Sequence, residues 1–136
     1  MLDGISNALS GVVAASSRLT ASANNIANSD ARESIPLGGL IGGAAEPRQA
    51  YEPVRVEQSS KAEGGTGASE RNARPPYVPV FDTTSSLAND QGLVAAPNVD
   101  LAGELTEMES ASRAFEINLQ TVQSMSDLVR KLYDLE

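Results

Sequence analysis

LDGISNALSGVVAASSRLTASANNI, residues 2–26, decides the fold. Leu2, Ile5, Leu9, Val12, Ser16, Leu19, Ala23 and Ile26 follow one another at alternating steps of three and four. That spacing is the a/d seam of an amphipathic helix, apolar everywhere except Ser16. Only Asp3, Arg18 and Asp30 are charged in the first thirty residues. The other positions are mostly Ala, Ser, Asn and Gly, so the helix is thin and lets neighbours approach closely on several sides. Ser, Asn and Gly also weaken a helix, which predicts fraying in isolation.

A second stripe runs through Leu101, Leu105, Met108, Ser112, Phe115, Leu119 and Val122. It then broadens through Met125, Leu128, Val129, Leu132 and Leu135. Drift from a strict 3.5-residue repeat predicts contact with more than one neighbour. Pro97 precedes this helix, and Asn98 or Asp100 is expected to accept the free N–H groups of its first turn. Asp100 and Glu104 suit the positive end of the helix dipole, and Arg130 and Lys131 the negative end. Glu109–Arg113 and Asp127–Lys131 are spaced as i,i+4 ion pairs.

Between the stripes, residues 31–97 hold all seven prolines and eight of the eleven glycines. GGLIGG, Gly38–Gly43, reads as a flexible connector. Tyr51–Gln58 and Tyr77–Phe81 read as short strands with Gly64, Gly65 and Gly67 in the loop between them, giving a small hairpin. Pro53, Pro76 and Pro79 confine it to edge positions. The organisation is therefore mainly α: a helix within 1–30, a linker with a hairpin and irregular loops over 31–97, and a helix within 98–136. Helices at opposite ends of a chain cannot bury their stripes locally. They pack on each other, on other copies, or on both. A simple helical hairpin would be joined by a far shorter connection than roughly seventy residues.

Composition removes most chemistry. The 136 residues contain no cysteine and no histidine, so disulfides, Cys/His zinc sites, thiol nucleophiles and histidine bases are excluded. The six serines of the first thirty residues have no base to activate them. Glu104, Glu107 and Glu109 make an ordinary solvated helix surface rather than a metal or acid/base site. GGLIGG lacks the Lys-Ser/Thr of a phosphate loop, since Ala44, Ala45 and Glu46 follow it. No catalytic, cofactor or metal residue is expected. The net charge of −8, with no basic patch, argues against nucleic acid as a partner. The N-terminus has no basic region before its short apolar run Val12–Ala15, and no stretch approaches a membrane span.

SANNIANSD at Ser22–Asp30 resembles the S-x-N-N-I/L-A-N signature of bacterial flagellar rod and hook proteins. Ser22, Asn24, Asn25, Ile26, Ala27 and Asn28 match it. NVDLAGE at Asn98–Glu104 and SRAFEIN at Ser112–Asn118 resemble the C-terminal pattern of the same family, through Asn98, Val99, Asp100, Glu104, Arg113, Phe115 and Asn118. The length suits a proximal-rod subunit, and GLVAAPNVD at Gly92–Asp100 resembles the G-Y-V-A-x-P-N-V-D/N stretch of such subunits, with Leu93 in place of the aromatic. A tyrosine-arginine stretch often found after the N-terminal signature is missing, and Ile35–Ala45 is unusually rich in glycine.

The resemblance implies terminal helices paired as a coiled-coil-like inner domain, copies packed helically around an export channel, and torque transmitted across the periplasm. It implies as partners further copies, other rod subunits, the membrane-embedded base and the type III export apparatus, with no cleaved signal and no insertion in the membrane. The stripe residues Leu2, Ile5, Leu9, Val12, Leu19, Ile26, Leu101, Leu105, Met108, Phe115, Leu119, Val122, Leu128 and Leu132 are the expected assembly seam. A neighbouring proximal-rod subunit, or a small helical adaptor or export chaperone, is the alternative reading.

Overall fold

A computed structural model describes residues 2–35 and 51–134 of the chain. The order is α1 (Leu2–Ala27), β1 (Val54–Ser60), β2 (Thr66–Asn72), β3 (Tyr77–Phe81), β4 (Leu93–Pro97) and α2 (Leu101–Tyr133). The connector Gly38–Gly43 and Leu135 lie outside the described residues, as does the side chain of Leu2. At 1.5 Å per residue α1 is about 39 Å long and α2 about 50 Å.

α1 ends on local polar chemistry. The Asn28 side chain donates to the Asn24 carbonyl at 2.8 Å and the Ser29 hydroxyl to that of Ile26 at 2.8 Å, which satisfies the last turn of α1. At the start of α2 the expected side-chain cap does not form. Asp100 holds the N-cap backbone position (φ −89°, ψ 97°) without a side-chain cap bond, and only its carbonyl takes the Glu104 N–H, at 2.8 Å. Asn98 is committed elsewhere: its side chain donates to the Pro75 carbonyl at 2.9 Å and its N–H to Pro76 at 3.0 Å. The i,i+4 bridge Glu109–Arg113 is present, whereas Asp127–Lys131 is not among the ion pairs of the described residues.

The helices pair antiparallel, and small residues line the contact. A Cβ added at Gly4 would lie 2.9 Å from Met125 Cε, and one at Gly11 would lie 2.6 Å from Asn118 Oδ1. Further along, Arg18 meets Glu107 and Asn25 meets Glu104. Gly4, Ala8, Gly11, Ala15, Arg18, Ser22 and Asn25 thus form the inward line of α1, itself a repeat of four and three. It is offset from the large apolar stripe. Among the described residues the buried hydrophobics are Ala8, Ala14, Ala15, Ala21, Ala73, Val94, Ala95, Ala96 and Ala111. A core built so largely of alanine removes few methylenes from water, so the fold of a single chain is weakly held.

The middle is two separate ribbons, not the single expected hairpin. β1 pairs with β2 antiparallel from Val54↔Asn72 to Ser60↔Thr66, and β3 pairs with β4 from Tyr77↔Pro97 to Phe81↔Leu93. The strands expected from the sequence, β1 and β3, each take a partner that the sequence did not suggest. Reciprocal bonds between Glu33 and Ala95, at 3.0 and 2.8 Å, add one bridge to the far edge of β4. A lone two-stranded ribbon is marginal in water, and the first lies along α1. Its tip is fixed where the Thr66 N–H donates to Ser10 Oγ at 2.9 Å, and its base where Val54 meets Asn25. The fit is metrical: Ser10 to Asn25 spans about 22 Å of helix, and seven strand residues span about 23 Å.

Candidate assembly interface

Side chains advance about 100° per residue around a helix. On α1 this puts Asn7, Ser10, Ala14 and Ala21 on the flank that meets the ribbon. Ile5, Leu9, Val12, Leu19 and Ile26 fall on the opposite flank. On α2 the line facing α1 runs through Glu104, Met108, Ala111, Phe115, Asn118, Val122 and Met125. Gly103 and Glu107 turn towards the ribbon, while Leu101, Leu105 and Leu119 turn away from it. The α1 stripe and Leu101, Leu105 and Leu119 of the α2 stripe therefore share one face of the helix pair, the face opposite the ribbon, while Met108, Phe115 and Val122 lie towards α1.

That face is not covered. Leu9 is 53% exposed, Leu101 49%, Leu105 48% and Leu119 39%. Ile5, Val12, Leu19, Ile26, Met108, Phe115 and Val122 are half-buried, and Ser16 is exposed. None of the described seam residues is fully buried. Leu128 and Leu132 are exposed too, but on the other flank, where α2 runs past the start of α1.

The two outer surfaces differ in charge. Asp3 and Arg18 are the only charged residues of α1, and Arg18 is turned into the helix pair onto Glu107. The outer side of α2 carries exposed Glu109, Arg113, Glu116, Asp127 and Lys131. The α1 surface thus suits contact with protein, and the α2 surface suits water.

Of the signature residues Ser22 and Asn25 are buried, and the others are half-buried or exposed. Asn25 is fully buried and uses its whole amide. Its Nδ2 donates to the Val54 carbonyl and to Glu104 Oε1, both at 2.8 Å; its Oδ1 accepts from the Tyr51 hydroxyl at 2.8 Å and the Val54 N–H at 3.0 Å. Ser22 is buried one turn before it, and Asn28 closes α1. Asn118 fills the space over Gly11 while donating to the Ala114 carbonyl at 2.7 Å. Arg113 bonds Glu109 on the outer side of α2, Val99 is half-buried, and Asn24 and Ala27 are exposed.

A groove of about 330 Å³ between α1, β1 and the start of α2 is walled by Arg18, Arg55, Asp100, Glu104 and Glu107. Its charges are mixed and partly paired, Arg18 with Glu107. Among the described residues no cluster of three or more His, Cys, Asp or Glu is placed to hold a metal, and no helix is long and apolar enough to cross a membrane.

Arg18 donates to Glu107 and also to Ser110 Oγ at 3.3 Å. The Arg18 hydrogen bond, aided by its charge and opposed by burial, holds the Glu107 carboxyl below its usual range. Burial, then the charge of Glu104, raises the Tyr51 hydroxyl above its own. A depressed folded value means the Arg18–Glu107 contribution is complete above the carboxyl's ordinary 4.5 and fades as pH falls through the lower folded value. Helicity followed by circular dichroism should therefore drop in acid, and Glu107→Gln should flatten that slope. An unchanged acid limb in the variant would show that the pair adds nothing to stability.

Sequence reasoning missed the Gly4–Ala8–Gly11–Ala15 line, Ser10 under the ribbon tip, and Tyr51 at the Asn25 amide. The first carried a legible signal: small residues at the same four-three step as the large ones. The other two depend on tertiary approach and carried none.

The model of the flagellar basal body rod FlgEFG protein C-terminal family matches residues 90–135, which take in β4 and all of α2. The flagellar basal-body rod protein FlgC of Salmonella typhimurium is 30% identical over 129 residues, covering 93% of this chain and 90% of the relative. The protein of that name from Yersinia enterocolitica is 31% identical over 126 residues, with the same coverage. The one from Aquifex aeolicus is 24% identical over 133 residues, covering 92% and 89%. Likeness at that level runs through both helices and the ribbons between them, and the chain belongs to the FlgC family of flagellar basal-body rod proteins.

Proposed function

We propose that this chain is a structural subunit of the proximal rod, packing helically with further copies and other rod subunits around the export channel. In that position it links the membrane-embedded base to the distal rod and transmits torque across the periplasm. It reaches the site through the type III export apparatus without a cleaved signal. The helix pair acts as the inner domain, its packing completed in coiled-coil fashion by neighbours.

One observation carries this reading: Leu9, Leu101, Leu105 and Leu119 stay about half-exposed on one face of a helix pair whose contact is lined on the α1 side by small residues. Completing the burial of a half-exposed leucine stabilises by about 1 kcal/mol, so Leu9, Leu101, Leu105 and Leu119 together favour association substantially. A weakly held single chain that gains its stability on assembly also suits passage through a narrow channel. Folding then becomes dependent on partners and concentration.

Deleting the gene should leave basal bodies that stop before the rod, in cells that do not swim, and a plasmid copy should restore both. Complete rods in the deletion strain would overturn the proposal and bring the adaptor reading forward.

A further inference from the structure

The Asn25 amide ties α1 by hydrogen bonds to both the β1–β2 ribbon and α2. Pro53 accepts the Ala73 N–H at 2.7 Å, so at Val54 the β1 N–H and C=O both face away from β2. Asn25 takes both of them, at 3.0 and 2.8 Å, as one residue of a neighbouring strand would. Its remaining hydrogen goes to Glu104 at 2.8 Å, on α2, and its remaining acceptor site to Tyr51 at 2.8 Å. Asn25 and Val54 belong to the first half of the chain and Glu104 to the last third. In the complete fold Asn25 is fully buried with both amide hydrogens bonded, and without α2 one of them has no protein partner.

We propose that Asn25 is a conformational latch, which makes docking of the β1–β2 ribbon and closure of α2 on α1 a single transition. With α2 absent, the ribbon is held incompletely. With α2 in place, ribbon and helix pair open and close together. This device stands or falls independently of the assembly reading.

Arg18 provides the test, because it bonds α2 through Glu107 and Ser110 and makes no hydrogen bond to the ribbon. Amide hydrogen exchange would be measured on the full-length chain in trimethylamine N-oxide, which strengthens burial. The Ala15 and Ala111 amides report the helix pair; the Thr66 and Ala73 amides report the ribbon. In the otherwise native chain, Arg18→Ala should speed exchange of both sets alike, by about fivefold for one lost charge-assisted contact. In an Asn25→Ala background the same change should speed only the helix amides. Should that background not fold, Glu104→Ala serves, since it cuts the link to α2 and leaves Asn25 on Val54.

Ribbon amides that ignore Arg18→Ala in the native background would overturn the latch. So would ribbon amides that respond equally in every background, because coupling would then pass through general packing. A native chain with no protected ribbon amide would overturn it as well, since the latch would not close without a partner.

Discussion

Leu119→Asp is expected to leave the single chain folded and to abolish rod assembly. Leu119 is 39% exposed on the face opposite the ribbon, so in the free chain the new carboxylate keeps water. Its cost there is the burial that Leu119 already has, about 1–2 kcal/mol, plus the difference in helix propensity, about 0.6 kcal/mol. In the proposed rod packing the same position is covered by a neighbour, and an unpaired charge in such a contact costs several kcal/mol. The variant should match the native chain in circular dichroism, yet support neither rods nor swimming. Leu119→Met keeps the apolar volume and should behave almost normally. Motile cells carrying Leu119→Asp would show that this face is not the seam.

Gly11→Leu should do the opposite and damage the chain before it meets any partner. A Cβ at position 11 lies 2.6 to 2.9 Å from three atoms of the Asn118 side chain, so the helices must part or Asn118 must leave. Overpacking of this kind costs about 1–3 kcal/mol, a large share of the stability of a core made mostly of alanine. Gly11→Ala adds about 1 kcal/mol of helix propensity but still strikes Asn118. Pairing it with Asn118→Ala removes the clash and should restore the melting temperature lost in Gly11→Leu. A Gly11→Leu chain that melts as the native one does would mean that the helices are not in close contact there.

The two variants separate interior from exterior, the distinction hardest to read in the sequence. The helices themselves were legible, because leucines, valines and isoleucines at three-four steps line up on one face only when the backbone is helical. Which line faces inward was not. Two registers coexist on α1, one of large residues and one of Gly, Ala, Ser and Asn. Hydrophobicity points to the first, whereas close approach between backbones selects the second.

The ribbons were half legible for a related reason. VRVEQSS and YVPVF carry strand-forming residues. Their partner TGASERN is polar throughout, with no alternation to read, because the strand faces water along most of its length. The other partner, LVAAP, was read as part of a signature before the last helix and not as a strand. The signature residues themselves were found by resemblance alone. Nothing in their spacing shows that Asn25 pairs with Val54, since a side-chain amide standing in for a strand is set by tertiary approach.

Large residues left outside the helix pair are, on the proposed packing, covered by other rod subunits. Cryo-electron microscopy of purified basal bodies, with this chain traced by its side chains, tests that most directly. The chain is expected in the proximal rod, with Leu9, Leu101, Leu105 and Leu119 buried against neighbouring subunits and the Gly4–Met125 and Gly11–Asn118 contacts preserved within each copy. Rods in which that face meets only solvent, or which are complete without this chain, would contradict it.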